Sequence, residues 1–199
     1  MCHLASTEPS HAASQGTEAP PDPEAAPAPA AVLADLPQEL RDFGERWLAA
    51  WASRSPERIT ALCTEDVVWD DPALEEPARG RPAVIEFLES SFRAFPDLEF
   101  TLTERPLVSP GLERVAVPWK VRGTMLGALD PPGLAPTGRS FALEGVDLYE
   151  LRDGLVRRMT TRYDVLTWLR EIGALPARGS SVEGVLMRLQ RAVTRLRAR

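Results

Sequence analysis

Histidine is almost absent from this chain. His3 and His11 are the only two, both near the N-terminus. A histidine metal cluster or a Ser-His-Asp triad within the folded part is thereby excluded. Cysteine is equally scarce: Cys2 and Cys63 are too few for a disulfide scaffold or a thiolate zinc site. No run approaches the roughly 18–20 consecutive apolar residues of a membrane-spanning helix. The first 36 residues hold no Lys or Arg and no apolar core, so a signal peptide is not expected there. Cys2, with no hydrophobic segment before it, is not expected to be a lipoprotein cysteine. A formal net charge of −6 over 199 residues argues against nucleic acid as a partner. What remains is a cytoplasmic protein whose chemistry, if any, uses carboxylates, hydroxyls, indoles or a bound cofactor.

Charge and proline are unevenly spread. Residues 1–36 carry five acids (Glu8, Glu18, Asp22, Glu24, Asp35), six prolines and ten alanines. Such a composition cannot bury enough apolar surface to offset chain entropy, so a disordered tail is expected through residue 36. Residues 177–199 are opposite in sign, with six arginines and one acid, Glu183. There Val182, Val185, Leu186, Leu189, Val193 and Leu196 recur at helical spacing, which predicts a basic amphipathic helix. It could pack on the domain or a sister subunit, lie on an anionic surface, or meet the acidic tail. The intervening residues 37–176 have the size of one domain.

Within 37–176, Leu40, Phe43, Trp47, Leu48 and Trp51 form the apolar face of a first helix beginning near Pro37. Ser55-Pro56 caps a short second helix ending near Cys63. Val67 to Asp71 reads as a short strand closed by Pro72, and Arg81-Pro82 opens a third helix. Strand-like runs follow at 98–108, 113–123, 139–151 and 155–163, and Asp164 begins a last helix stopped by Gly173 and Pro176. Helices followed by a run of strands predict an α+β fold, a strongly curved antiparallel or mixed sheet wrapped round the N-terminal helices with one cavity. Pro118 removes a ladder donor, so its strand is expected at a sheet edge or with a bulge.

Two carboxylates stand on otherwise apolar faces. Along 141–151 one face reads Phe141, Leu143, Gly145, Asp147, Tyr149, Leu151, with Asp147 its only charge. A carboxylate aimed at a core must be paired, protonated or functional, and lone burial favours the protonated form. Asp71 shares a face with Val67 and Trp69, although an Asp-Pro pair also begins turns. Asp164 falls on the opposite face from Met159, Thr161 and Tyr163, which suits an N-cap. Trp47, Trp69 and Trp119 lie on inward faces, where they are either core or walls for a flat apolar ligand.

The stretches GTMLGALDPPGLAPTGRSF (123–141), EGVDLYELRDGLV and YDVLTWLREIGALP resemble the SnoaL-like polyketide cyclases of the nuclear-transport-factor-2-like superfamily. The resemblance spans about 37–176 and implies an α+β cone that associates as a homodimer through the convex sheet face. The cyclases' aldol Asp on the last strand corresponds to Thr161 here, and their His to Asp147. The Arg and two acids of the related limonene epoxide hydrolases correspond to Trp119, Val121 and Thr161, which implies that epoxide hydrolysis by that set does not occur. Ketosteroid isomerase is similar at two points: its general base matches Asp71 in Asp70-Asp71-Pro72, and its protonated oxyanion-hole acid matches Asp147. Its oxyanion-hole Tyr corresponds to Trp47.

Together these readings predict an isomerase or cyclase without metal or cofactor, acting by enolisation on a hydrophobic polyketide- or steroid-like carbonyl compound. Asp71 and Asp147 would be catalytic, with Trp47, Trp69, Trp119, Tyr149, Thr161 and Tyr163 around the substrate. The alternative is a module of the same fold that binds a hydrophobic ligand or a partner without chemistry.

Overall fold

The computed structural model describes residues 28–130 and 132–197. The expectation of disorder through residue 36 fails at its end. Pro29–Leu33 form helix α1, and Val32, Leu33 and Leu36 are buried with Leu40 and Leu102. Apolar burial begins before the first long helix, at Val32 in α1. The remainder of the acidic tail, 1–27, lies outside the described residues.

Helix α2 (Gln38–Ala52) follows Pro37 and buries Leu40, Phe43, Trp47 and Ala50 on one face. Arg54 then turns the chain with φ of 53° and donates to the carbonyls of Phe92, Phe95 and Leu98. Helix α3 (Pro56–Thr60) is capped by the Ser55 hydroxyl, which accepts from the Arg58 N–H. Strand β1 (Cys63–Asp70) starts four residues before the predicted one, so Cys63 belongs to it rather than to the preceding helix. A two-residue strand β2 (Ala78–Arg79) leads into helix α4 (Gly80–Ala94).

The predicted run 98–108 is two strands, β3 (Glu99–Leu102) and β4 (Leu107–Val108). Pro106, lacking a donor, lies in the break. Strands β5 (Arg114–Thr124), β6 (Ser140–Arg152) and β7 (Leu155–Tyr163) follow. Asp153 and Gly154, both with positive φ, make the two-residue β6–β7 hairpin turn. The Asp164 side chain caps helix α5 (Val165–Glu171) by accepting from the Thr167 N–H, as strand parity suggested. Helix α6 (Ser181–Arg197) ends the described chain.

The sheet runs β2-β1-β7-β6-β5-β3, with β4 also pairing β5. Only β1 and β7 are parallel, so the sheet is mixed, and it is not closed. Strand β5 is interior and pairs with β6 without a register shift, contrary to the edge or bulge expected at Pro118. The physical reason is local. Pro118 lies between the residues paired with β4 and those paired with β3, and its carbonyl accepts the Thr103 N–H. The N and C=O of one strand residue point the same way, so the missing donor falls in that gap.

Helices α2 and α4 cover the inner face. One core cluster contains Trp47, Trp69, Leu88 and Tyr149, and a second contains Trp119, Phe141, Trp168 and Ile172. Gly145 stands directly across from Trp119 in the β5–β6 register. A Cβ there would collide with the indole and with the Arg162 carbonyl, so the glycine makes room for the ring. Among the described residues no helix is long and apolar enough to cross a membrane.

Candidate active site

Strand pleat places the site. Alternate residues of β6 face inward, so Phe141, Leu143, Asp147 and Tyr149 are buried while Glu144 and Leu148 face out. Val121 and Trp119 of β5 and Met159 and Thr161 of β7 line up beside them. Two adjoining chambers result, with part of their walls in common. The larger, about 290 Å³, is walled by α1, α2 and the link between them (Leu33, Leu36, Leu40, Phe43, Trp47) and reaches Tyr149. The smaller, about 100 Å³, contains Trp69, Asp71, Thr161 and Tyr163. Trp51, Leu98, Phe100, Trp119 and Asp147 border both.

Asp147 is therefore the junction, and it is 6% exposed. Thr161, its direct partner across the β6–β7 register, donates its hydroxyl to Oδ1 at 2.9 Å. The Tyr149 hydroxyl donates to Oδ2 at 3.0 Å, and in turn accepts the Trp47 indole N–H at 3.2 Å. The Trp119 N–H faces the carboxyl closely enough to lower its pKa but without the geometry of a full hydrogen bond. Burial outweighs these donors and pushes the carboxyl up to about 7. The nearby Asp71 carboxylate adds to that rise.

Asp71 sits just past the end of β1. The residue is half-buried, but its carboxyl is enclosed. Oδ1 accepts the Ala73 N–H at 2.8 Å, an Asx turn, and the Tyr163 hydroxyl at 3.1 Å. Burial raises its pKa, against the lowering by those two bonds. Its neighbour Asp70 points outward and pairs with Arg162 at 3.1 Å.

All eight residues singled out in the sequence face this cavity, but not in equivalent ways. Asp71, Trp69, Thr161 and Tyr163 share the smaller chamber, Trp47 and Tyr149 the larger, and Asp147 and Trp119 both. Tyr163 holds Asp71, and Trp47 reaches Asp147 only through Tyr149. Trp47 and Trp69 stack with ring centroids 6.3 Å apart. The sequence reading missed Leu33 and Leu36, because the acidic tail was extended over them, and Phe92 and Phe100, which pack edge-on against Trp51. The signal for the first two was the apolar series Val32, Leu33, Leu36, Leu40, continuous with α2. Among the described residues no group of three or more His, Cys, Asp or Glu converges as metal ligands would. Cys63 is a buried thiol pushed up to about 12 by desolvation, so it is no nucleophile.

Solved structures with this fold include TsrD from Streptomyces laurentii, which has 22% identity and a TM-score of 0.58 over 71% of this chain and 100% of its own. A candidate SnoaL-like polyketide cyclase from Jannaschia sp. CCS1 has 22% identity and a TM-score of 0.59 over 71% of this chain and 96% of its own. AclR, a candidate hydroxylase from Streptomyces galilaeus, has 21% identity and a TM-score of 0.58 over 81% of this chain and 98% of its own. At such identities the likeness establishes the fold, not the activity. No curated protein sequence matches the chain. The SnoaL-like domain family matches residues 44–159, which include α4, Asp71, Asp147 and most of the sheet, and the chain belongs to that family.

Proposed function

We propose that the chain is a cofactor-independent isomerase or cyclase that enolises a hydrophobic carbonyl compound. The observation that carries this reading is one chamber lined by two enclosed carboxyls, with Asp71 adding to the rise at Asp147, in walls made mostly of aromatic and aliphatic side chains. Paired acids in different environments can divide the roles of base and acid. Asp71, whose Oδ1 is fixed by Ala73 and Tyr163, takes the proton α to the carbonyl through its remaining oxygen. Asp147 carries a proton for much of the time near pH 7 and donates it towards the developing enolate oxygen. The Trp47–Tyr149 pair and Thr161 orient Asp147, and the larger chamber receives the apolar body of the substrate. Tyr149 thus supplies, from a strand, the hydroxyl that Trp47 lacks.

Deuterium incorporation from solvent into a bicyclic ketone such as 2-tetralone, followed by NMR, tests the chemistry without knowing the natural substrate. Wild type is expected to exchange the α-proton, and Asp71→Asn to lose about 10²–10⁴-fold while remaining folded. Undiminished exchange in Asp71→Asn would overturn the assignment. A second reading, ligand binding without chemistry, is favoured by one observation: the larger chamber does not reach Asp71. Quenching of tryptophan fluorescence by 2-tetralone, with no exchange in wild type, is its signature.

A further inference from the structure

Helix α6 has an apolar stripe that covers nothing. Val182, Val185, Leu186, Leu189, Val193 and Leu196 fall within an arc of about 100°, the width of a core-facing stripe. All six are 40–71% exposed, and no residue of the helix is buried. At its start the helix is well fixed. The Ser180 hydroxyl accepts the Glu183 N–H at 3.2 Å, and Glu183 accepts from Gly179 at 2.6 Å and pairs with Arg170 at 3.3 Å. The segment's only acid is therefore engaged at the anchored end. Beyond it the charged residues are Arg188, Arg191, Arg195 and Arg197. On the helical wheel Arg188 and Arg195 border the stripe on one side and Arg197 on the other, with Arg191 opposite.

Charge decides what fits this surface. Two such helices side by side would bring arginines together with no free acid between them. The outer face of the sheet is no better a seat, because most of its acids already hold cations: Glu99 with Arg122, Glu144 with Lys120, Glu150 with Arg157, Asp66 with Arg152 and Asp70 with Arg162. An apolar stripe flanked by arginines complements an apolar layer beneath negative charge. Arginine stems can lie along the acyl boundary with their guanidinium groups at phosphate level. The rest of the chain is acidic, which confines attraction to this helix.

We propose that α6 is a reversible anchor to an anionic phospholipid bilayer, lying in its surface with the Leu189 face down. This goes beyond the cavity chemistry and does not depend on it. It would hold the cavity where apolar carbonyl compounds concentrate.

Flotation of the full chain with two vesicle types tests the proposal: phosphatidylcholine alone, and phosphatidylcholine mixed roughly three to one with phosphatidylglycerol. Binding to the mixed vesicles is expected to be about tenfold or more tighter and to fall steeply with added salt. Leu189→Glu, and the pair Arg188→Gln with Arg195→Gln, should each weaken it about tenfold with an unchanged thermal midpoint. No binding to the mixed vesicles, or equal binding to both types, overturns the anchor. A lipid-free dimer that Leu189→Glu dissociates would assign the stripe to a second copy and overturn it. A lowered thermal midpoint in Leu189→Glu would return the stripe to the chain's own body and overturn the anchor as well.

Discussion

Asp147 is held by side chains from the strands around it, whereas Asp71 is held largely by its own turn. Thr161 and Tyr149 bind the first carboxyl, and Trp47 acts on it through Tyr149, which lies 102 residues from Trp47. The second takes its shortest bond from the Ala73 backbone, two residues on. Burial raises the pKa of both, so neither donor set cancels desolvation. The difference lies in reach. Both oxygens of Asp147 are engaged from the sheet, which suits a group that donates a proton in a fixed direction. Asp71 has a hydrogen bond shown on Oδ1 alone, which leaves an oxygen for a base.

Beyond the loss of exchange in Asp71→Asn, the largest effect expected concerns pH. The Asp147 pKa rises from 3.8 unfolded to about 7 folded. Below about pH 4 both states are protonated and burial costs nothing from ionisation. Between there and about pH 7 the unfolded chain ionises first, so stability falls as pH rises, by on the order of 4 kcal/mol in all. Asp71, also raised, adds a slope of the same sign. Urea unfolding at several pH values should show this decline, and Asp147→Asn should flatten most of it. A slope that persists in that variant and vanishes in Asp71→Asn would reverse the comparison.

Gly145→Ala comes next. Its Cβ would meet Trp119 and the Arg162 carbonyl, so the indole must move away from Asp147. A cost of about 1–3 kcal/mol in thermal or urea unfolding is expected, together with an altered Asp147 titration. Unchanged stability would show that Trp119 has room to spare. Thr161→Val removes one donor from Asp147 and should cost about 1 kcal/mol, more above pH 7 where the carboxylate is charged. A pH-independent loss would mean that Thr161 acts through packing alone. Smallest is Arg162→Gln. Its ion pair with Asp70 is 53% and 31% exposed at the two side chains, so a change below about 1 kcal/mol that shrinks with salt is expected.

Much of the fold was legible in the sequence where short-range pattern and burial agree. The pleat of β6 put Asp147 and Tyr149 on one face, and Asp164 read correctly as a cap because strand parity and a following helix gave one answer. Legibility failed where a neighbour far along the chain decided. Pro118 looked like an edge residue because nothing local shows that β3 and β4 leave a gap beside it. Leu33 and Leu36 looked like tail because composition was averaged over a segment in which only Val32, Leu33 and Leu36, near its end, are seen to pack. The singled-out residues that line the chambers were legible one at a time. Their division into a directly held acid, a turn-held acid and indirect donors was not.

By itself the amino-acid order determined that no histidine lies beyond His11, which faces of the strands are apolar, and that the C-terminal helix is amphipathic and basic. These follow from residue type and period, which act within a few residues. Tertiary structure alone decided that Tyr149 stands between Trp47 and Asp147, that Thr161 lies across from Asp147, and that the two chambers meet there. It also left the α6 stripe uncovered. Hydrogen bonds act over about 3 Å, and only the folded sheet brings those groups, distant in sequence, within that range.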